Sequence, residues 1–325
     1  MSIKIEEYDL RKLDKDTESR IHNFILKCPY STIFHTLDWL RVITTSTEKE
    51  CKLLLSVEDD KIVGFLPYFT LRNSILHKVF VSSLDETRYA GPIYSKGYEK
   101  AGNLLIEKIL SFSHNLYYLY SAPNIDATIF RNKDFRMEER KTAVLDVSRP
   151  IDEIYKNIKR RTRQAIKKAQ KSEIKIVDGK LDDLSIYHKM LTETYVRSEG
   201  VAPFEKLIEN SIKILAPIGN LKFTLAILDK EPIAGLLTLY FQDKVYYWGG
   251  AVFNDYRKLQ PNSLLFWDLI QKISGKYQSL DFLGIDDLRL SRFKMSWGCK
   301  ESIHYYCSKK TGLLYYLSKL KHRNR

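Results

Sequence analysis

The chain repeats itself. Leu53–Asp126 and Phe223–Asp286 carry two copies of one supersecondary pattern. Each copy opens with a β-hairpin that has a glycine just inside its second strand, Gly64 in the first and Gly235 in the second. Each then has an aromatic–small–glycine step, Tyr89-Ala90-Gly91 and Trp248-Gly249-Gly250. Each continues with a helix and a strand that ends in Ile-Asp, at Asp126 and Asp286. An internal duplication of this size predicts two similar domains, with a ligand cleft near where they meet. Hairpin strands followed by a helix and a further strand fit an α/β (α+β) fold with a mixed sheet, and exclude a TIM barrel or a simple bundle. The expected divisions are 1–150, 151–310 and a basic tail over 311–325.

Charge is the second constraint, because it is unevenly placed. Residues 1–150 hold 22 basic and 21 acidic side chains, whereas 151–325 hold 31 and 19. The excess sits in two runs. Lys156–Lys171 has eight Lys and Arg and no acid, and Lys309–Arg325 has six and no acid. Like charges at helical spacing repel, so such a run is either a solvated face or a site for an anionic partner. Apolar residues make up 44% of the chain, enough for a substantial core and against wholesale disorder. No apolar run approaches the roughly 20 residues of a membrane helix, and the N-terminus has no signal core, so a soluble, cytoplasmic location is expected. Four scattered cysteines form no CxxC pair, and His35, His77 and His304 have no ligand spacing, so no metal is expected.

Along the chain, Ile21–Cys28 and Leu37–Thr45 read as short helices, the second preceded by a threonine suited to N-capping. Thr142–Val147 reads as a strand. The apolar stripe Ile151, Ile154, Ile158, Thr162, Ala165, Ile166 and Ala169 predicts one long helix, with Lys156, Arg160, Arg163 and Lys167 as a basic ridge on another face. Ile174–Val177 reads as a strand, Leu184–Ser198 and Glu205–Leu215 as helices, Ser302–Ser308 as a last strand, and Leu313–His322 as a basic C-terminal helix.

Three stretches are candidates for chemistry. The basic helix comes first: arginine holds phosphate in bidentate fashion, which favours Arg160 and Arg163. The second is Tyr256–Leu265, a helix start that follows the Trp248-Gly249-Gly250 step and carries Arg257. A helix N-terminus binds anions through its N–H groups, but this one has no glycine, and Pro261 removes a donor. The third is Leu290–Gly298, which holds Phe293 and Lys294 and follows a strand end, a usual place for function in α/β sheets. No P-loop, G-x-S-x-G, G-x-G-x-x-G or RNA-binding signature is present.

Three blocks resemble the FemA/FemB/FemX family, the peptidoglycan-bridge aminoacyltransferases, and their FemAB-like relatives within the GNAT superfamily. They are Lys159–Ala169, Ala234-Gly235 through Trp248-Gly249-Gly250 to Asn262–Trp267, and Asp281-Phe282 through Phe293-Lys294-Met295-Ser296-Trp297-Gly298. The Ser31–Leu40 stretch fits as well. The likeness spans Ser31 to Ser308. It implies two tandem GNAT-like domains with mixed, mostly antiparallel sheets flanked by helices, and transfer of an acyl group to an amine. The first domain, near neutral and without a Phe-Lys block, is expected to be structural.

The donor implied by the resemblance is an acyl-CoA or an aminoacyl-tRNA, bound as substrate with no tightly held cofactor. The acceptor is an amine of a cell-envelope or nucleotide-linked precursor. The resemblance puts Lys294 near the reacting carbonyl and Arg160 and Arg163 near donor or acceptor phosphates, with Lys167 beside them. Asp286 is the candidate base. Tyr247, Trp248, Gly249, Arg257 and Phe293 are the candidate walls of the site. The chain lacks the helical arm inserted in some members, and its glycine-poor loop departs from that of ordinary acetyl-CoA enzymes. A rival reading is a non-enzymatic protein that binds RNA or an anionic surface through its basic runs, with membrane contact by the C-terminal tail.

Overall fold

A computed structural model describes residues 2–74, 77–82, 84, 87–197 and 200–311. In chain order the elements are β1 (Lys4–Asp9), α1 (Lys15–Lys27), α2 (Leu37–Thr47), β2 (Cys51–Glu58), β3 (Lys61–Ser74), β4 (His77–Val81), β5 (Ile93–Tyr94), α3 (Glu99–Leu110), β6 (Leu116–Tyr120) and α4 (Thr128–Arg131). There follow β7 (Arg136–Asp146), α5 (Ile151–Asn157), α6 (Arg160–Gln170), β8 (Lys175–Asp178), α7 (Leu184–Arg197), α8 (Glu205–Leu215), β9 (Leu221–Leu228), β10 (Glu231–Phe241), β11 (Lys244–Val252), α9 (Pro261–Ile273), β12 (Ser279–Asp281), α10 (Leu288–Met295) and β13 (Lys300–Lys310).

Two compact units result: the described parts of Met1–Arg140 and Ile303–Arg325, and Lys141–Ser302. In the first, strands lie in the order β1-β2-β3-β4-β6-β13, with β5 also on β3. In the second the order is β8-β9-β10-β11-β12-β7. Both orders have the same pairing sense. Neighbours are antiparallel except one internal pair, β4 with β6 and β11 with β12, which are parallel. The duplication read from sequence is therefore a duplication of sheet topology. It is not a duplication in every detail. Trp248-Gly249-Gly250 lies within strand β11, whereas Tyr89-Ala90-Gly91 lies in a loop, and the β3 edge is shared between β4 and β5.

The second unit positions the site. Its core joins Leu145, Ile154, Ile158, Ile166, Leu236, Val245, Phe266, Ile270, Leu280 and Trp297. α9 packs on β9, β10 and β11, and α7 packs on β10 and β11. Successive residues of a strand face opposite sides of a sheet. At Gly249 a side chain would meet Tyr187 of α7, and at Gly250 it would meet Tyr247, whose ring packs on Phe266 of α9. The two helices therefore cover opposite faces.

The single helix expected over the stripe from Ile151 to Ala169 is two. Ile158 and Lys159 are extended, and the Lys159 N–H donates to the Ser296 carbonyl at 2.9 Å. No proline or glycine marks this break. A tertiary partner for one backbone N–H overrides local propensity, which is a weak prior. The apolar stripe survives across the break, with Ile154, Ile158, Thr162, Ile166 and Ala169 all buried. The basic ridge does not survive as one face, since Lys156 is on α5 and the other three cations are on α6. Thr36 caps α2 by accepting from the Trp39 N–H at 3.2 Å. The expected helix over Leu313–His322 lies outside the described residues.

Candidate functional site

Strand β11 carries the irregularity around which the site is built. Opposite β10, the register shifts so that Leu237 faces Gly249 while Thr238 faces Tyr247, which leaves Trp248 as the extra residue of a bulge. On its other edge β11 pairs with β12 only over Lys244–Tyr246. Past that point β12 ends at Asp281 and the chain turns away. The stretch from Tyr247 to Gly250 thus has an edge that β12 leaves open, at the carboxyl end of two parallel strands, where α/β sheets bind ligands.

The turn after β12 is held by Lys294. Leu283 and Gly284 both have left-handed backbones, with φ of 52° and 87°. Leucine resists that conformation. Lys294 is only 5% exposed, and its ammonium donates to the carbonyls of Phe282 at 2.6 Å, Gly284 at 2.6 Å and Leu283 at 3.3 Å. The ammonium also stands 5.5 Å from the centre of the Tyr247 ring. Asp281, buried behind the turn, accepts from the Thr142 hydroxyl at 2.5 Å and the Leu283 N–H at 2.8 Å. Burial pushes the Tyr247 hydroxyl up to about 12, so it is protonated at neutral pH.

The Phe-Lys-x-x-Trp-Gly block has a packing logic as well as a chemical one. Phe266 of α9 stacks on Phe282 at 5.4 Å and meets Tyr247 at 4.8 Å, Phe293 at 5.4 Å and Trp297 at 5.5 Å. Gly298, at φ 87°, lets the chain pass the Asn157 carbonyl. The Thr162 hydroxyl donates to that of Ser296 at 2.7 Å, which docks the start of α6 on the end of α10.

Asp287 caps α10 by accepting from the Arg289 and Leu290 N–H groups at 2.8 and 2.9 Å. The Leu290 N–H first, then the Arg289 N–H, hold its carboxyl below the usual carboxylate range. A depressed carboxyl stabilises the fold above its unfolded value and loses that contribution as pH falls through the folded one. The cap therefore weakens below about pH 4. Denaturant midpoints at pH 3 and pH 7 should differ less in Asp287→Asn, which keeps an acceptor but cannot titrate. An unchanged pH dependence would remove Asp287 from this account.

At the start of α9 a cavity of about 490 Å³ is lined by Val252, Asn254, Arg257, Lys258, Gln260, Pro261, Asn262, Ser263 and Phe293. Gln260 adopts the left-handed conformation, φ 61°, which glycine usually supplies. The absence of glycine noted in the sequence has therefore not prevented the turn. The Oδ1 of Asn262 is buried with no hydrogen-bond partner. Arg197 of α7 steadies the rim by donating to Asn254 Oδ1 at 2.7 Å. Desolvation first, then the nearby Arg257 charge, lower its pKa.

The structure brings some of the expected residues together. Arg257 and Phe293 line one cavity. Tyr247, Phe293 and Lys294 meet around Phe266 and the turn, and Trp248 and Gly249 form the bulge beside them. Asp286 is exposed at the end of the same turn. Arg160 and Lys167 are exposed on α6. Arg163 folds back, donating to the Lys156 carbonyl at 3.0 Å and lying 5.8 Å over the Tyr155 ring. Among the described contacts none joins these three cations to the cavity. Lys258, Gln260, Asn262 and Ser263 also line it and fall inside the Tyr256–Leu265 stretch, where residue type alone singles out only Arg257. Asn254 had no signal, being a polar residue in a turn. Among the described residues no group of His, Cys, Asp and Glu is placed to hold a metal, and no helix is long and apolar enough to cross a membrane.

Residues 155–295, which contain the bulge, the cavity and the lysine-held turn, match the family model of the acetyltransferase (GNAT) domain. That stretch is therefore a GNAT-type acyltransferase domain. The whole fold of the chain is FemAB-like: it superposes on the crystal structure of FemX with a TM-score of 0.74 over 93% of this chain and 97% of the other, at 13% identity. A tandem GNAT protein from the clavulanic acid biosynthesis pathway aligns at 0.60, covering 95% and 99% at 10% identity. L-PGS from Bacillus licheniformis aligns at 0.58, covering 95% and 96% at 10% identity. No curated protein matches the sequence.

Proposed function

We propose that the second unit moves an acyl or aminoacyl group from a phosphate-bearing donor, a CoA thioester or an aminoacyl-tRNA, to an amine of a cell-envelope precursor or similar acceptor in the cytoplasm. The observation that carries this reading is the cationic cavity at the start of α9, lying beside the strand edge that β12 leaves open. Arg257 and Lys258 at the rim of this cavity suit a donor phosphate. The aromatic wall of Tyr247 and Phe293 suits the less polar part of the donor. The likeness of the fold to FemX, together with the sequence resemblance to the peptidoglycan-bridge enzymes, favours an envelope-related acceptor.

The amine attacks the donor carbonyl, a C–N bond forms, and the C–S or C–O bond of the donor breaks. Negative charge gathers on the carbonyl oxygen, and donors aimed at it are worth about 10²–10³ in rate each. Lys294 serves by fixing the Phe282–Gly284 turn and by lending its charge to the site. Asp286, at the exposed end of that turn, accepts the proton that the amine sheds. The first unit acts as support, because its Gly91 segment closes against β6 rather than opening an edge.

The rival reading, binding of RNA or an anionic surface, draws on Lys159, Arg160, Arg161 and Lys167, which are exposed on and beside α6. Calorimetry with CoA and acetyl-CoA, beside gel shift with aminoacyl-tRNA at two salt concentrations, separates the two. The expected result is saturable binding of one donor, weakened about tenfold or more by Arg257→Glu with Lys258→Glu. Binding that any polyanion satisfies, and that only charge reversal on α6 removes, would favour the rival.

A further inference from the structure

Tyr187, in the first turn of α7, is fully buried. Its ring lies across two glycines on neighbouring strands. An added Cβ on Gly235 of β10 would stand 2.6 Å from the ring, and one on Gly249 of β11 would stand 2.9 Å from the hydroxyl oxygen. Phe223 meets the ring edge-on at 5.0 Å. The glycine of the second hairpin and the first glycine of the Trp-Gly-Gly step thus make one slot, and the slot holds a tyrosine. Among the described residues the first unit shows no such slot. There Gly64 faces the Ser56 hydroxyl and Leu105 instead.

Packing explains the ring but not the hydroxyl, which has no hydrogen-bond partner. A buried donor without an acceptor is a standing cost that phenylalanine would avoid. Burial pushes the hydroxyl well above the usual tyrosine value, so it remains a donor. What lies next to it is informative. Gly249 is partly exposed and belongs to the stretch of β11 that β12 no longer pairs. At that position the strand offers no side chain as a barrier.

We propose that Tyr187 is a binding residue whose hydroxyl donates a hydrogen bond to a carbonyl oxygen of the acyl donor lying along the open edge of β11 at Gly249, a bond completed only when the donor binds. This rests on the acyl-transfer reading above. A group kept without a partner in the free protein and satisfied in the complex contributes wholly to binding.

The test is Tyr187→Phe in the full chain, with melting curves and donor titrations using acetyl-CoA and, separately, aminoacyl-tRNA. The free variant is expected to melt at or above the wild-type temperature, since no bond is lost. Its affinity for the donor that the wild type binds is expected to fall about fivefold, the worth of one hydrogen bond. A free variant that melts lower would overturn the proposal, because the hydroxyl would then be partnered already. Equal donor affinity in variant and wild type would overturn it too, leaving the acyl-transfer reading intact. If the wild type binds neither donor, that reading fails and this proposal with it.

Discussion

Lys294→Met should be less stable than the wild type by roughly 3 kcal/mol, and should fail to transfer. The side chain is buried and its ammonium serves the carbonyls of Phe282, Leu283 and Gly284. Methionine has nearly the same shape but no donor. It would leave the three carbonyls without that donor, in a turn already constrained by two left-handed residues. Leaving buried acceptors unmade is costlier than the net worth of the bonds themselves. The turn carries Asp286 and Asp287, so its collapse would also displace the start of α10 and Phe293 at the cavity. Denaturant midpoints together with a transfer assay separate two roles for this lysine. An inactive variant of unchanged stability would mean that the ammonium acts on the reacting carbonyl rather than by holding the turn. A stable and active variant would exclude both.

Gly91→Ala should destabilise the first unit by about 3 kcal/mol, the upper range of overpacking effects. A Cβ there would clash with the Tyr120 carbonyl oxygen and stand 3.3 Å from the Ser121 Cα, both main-chain atoms with no rotamer to yield. The Gly91 N–H donates to that same carbonyl at 2.7 Å, so the segment cannot back away without losing the bond. Its own carbonyl accepts from His35 Nε2 at 3.0 Å. The tautomer follows from the other ring nitrogen, which accepts from the Thr32 N–H at 3.1 Å. His35 is therefore a buried tie between two loops, which accounts for it without a metal. Gly275→Asn is the contrast. That glycine has φ 71° and open space around it, and asparagine tolerates the left-handed region, so the change should be near neutral. Equal denaturant midpoints for Gly91→Ala and wild type would show that the main chain here moves more easily than its hydrogen bonds suggest.

Much of the fold was legible because periodicity and repetition are local properties. The hairpins, α8, the apolar stripe through Ile154 and Ile166, and the repeat at Gly64 and Gly235 are all written in residue order. The blocks around Gly249 and Lys294 could likewise be picked out by type and spacing. The break at Ile158–Lys159 could not, since its cause is the Ser296 carbonyl, more than a hundred residues away. Nor could the basic ridge be resolved: spacing put Lys156, Arg160, Arg163 and Lys167 on one face, and the break separated the first of them.

Residue order carries the duplication of one α/β pattern and the concentration of positive charge after residue 150. Hydrophobic pattern, glycine placement and charge act over a few residues and need no knowledge of partners. Which atoms meet depends on the folded chain. It assigned the Lys294 ammonium to three carbonyls and opened the edge of β11 at the Trp248 bulge. It also laid Tyr187 of α7 across Gly235 and Gly249 on the neighbouring strands β10 and β11. Hydrogen-bond partners and close approaches depend on distances between chain-remote groups, which residue order alone does not fix.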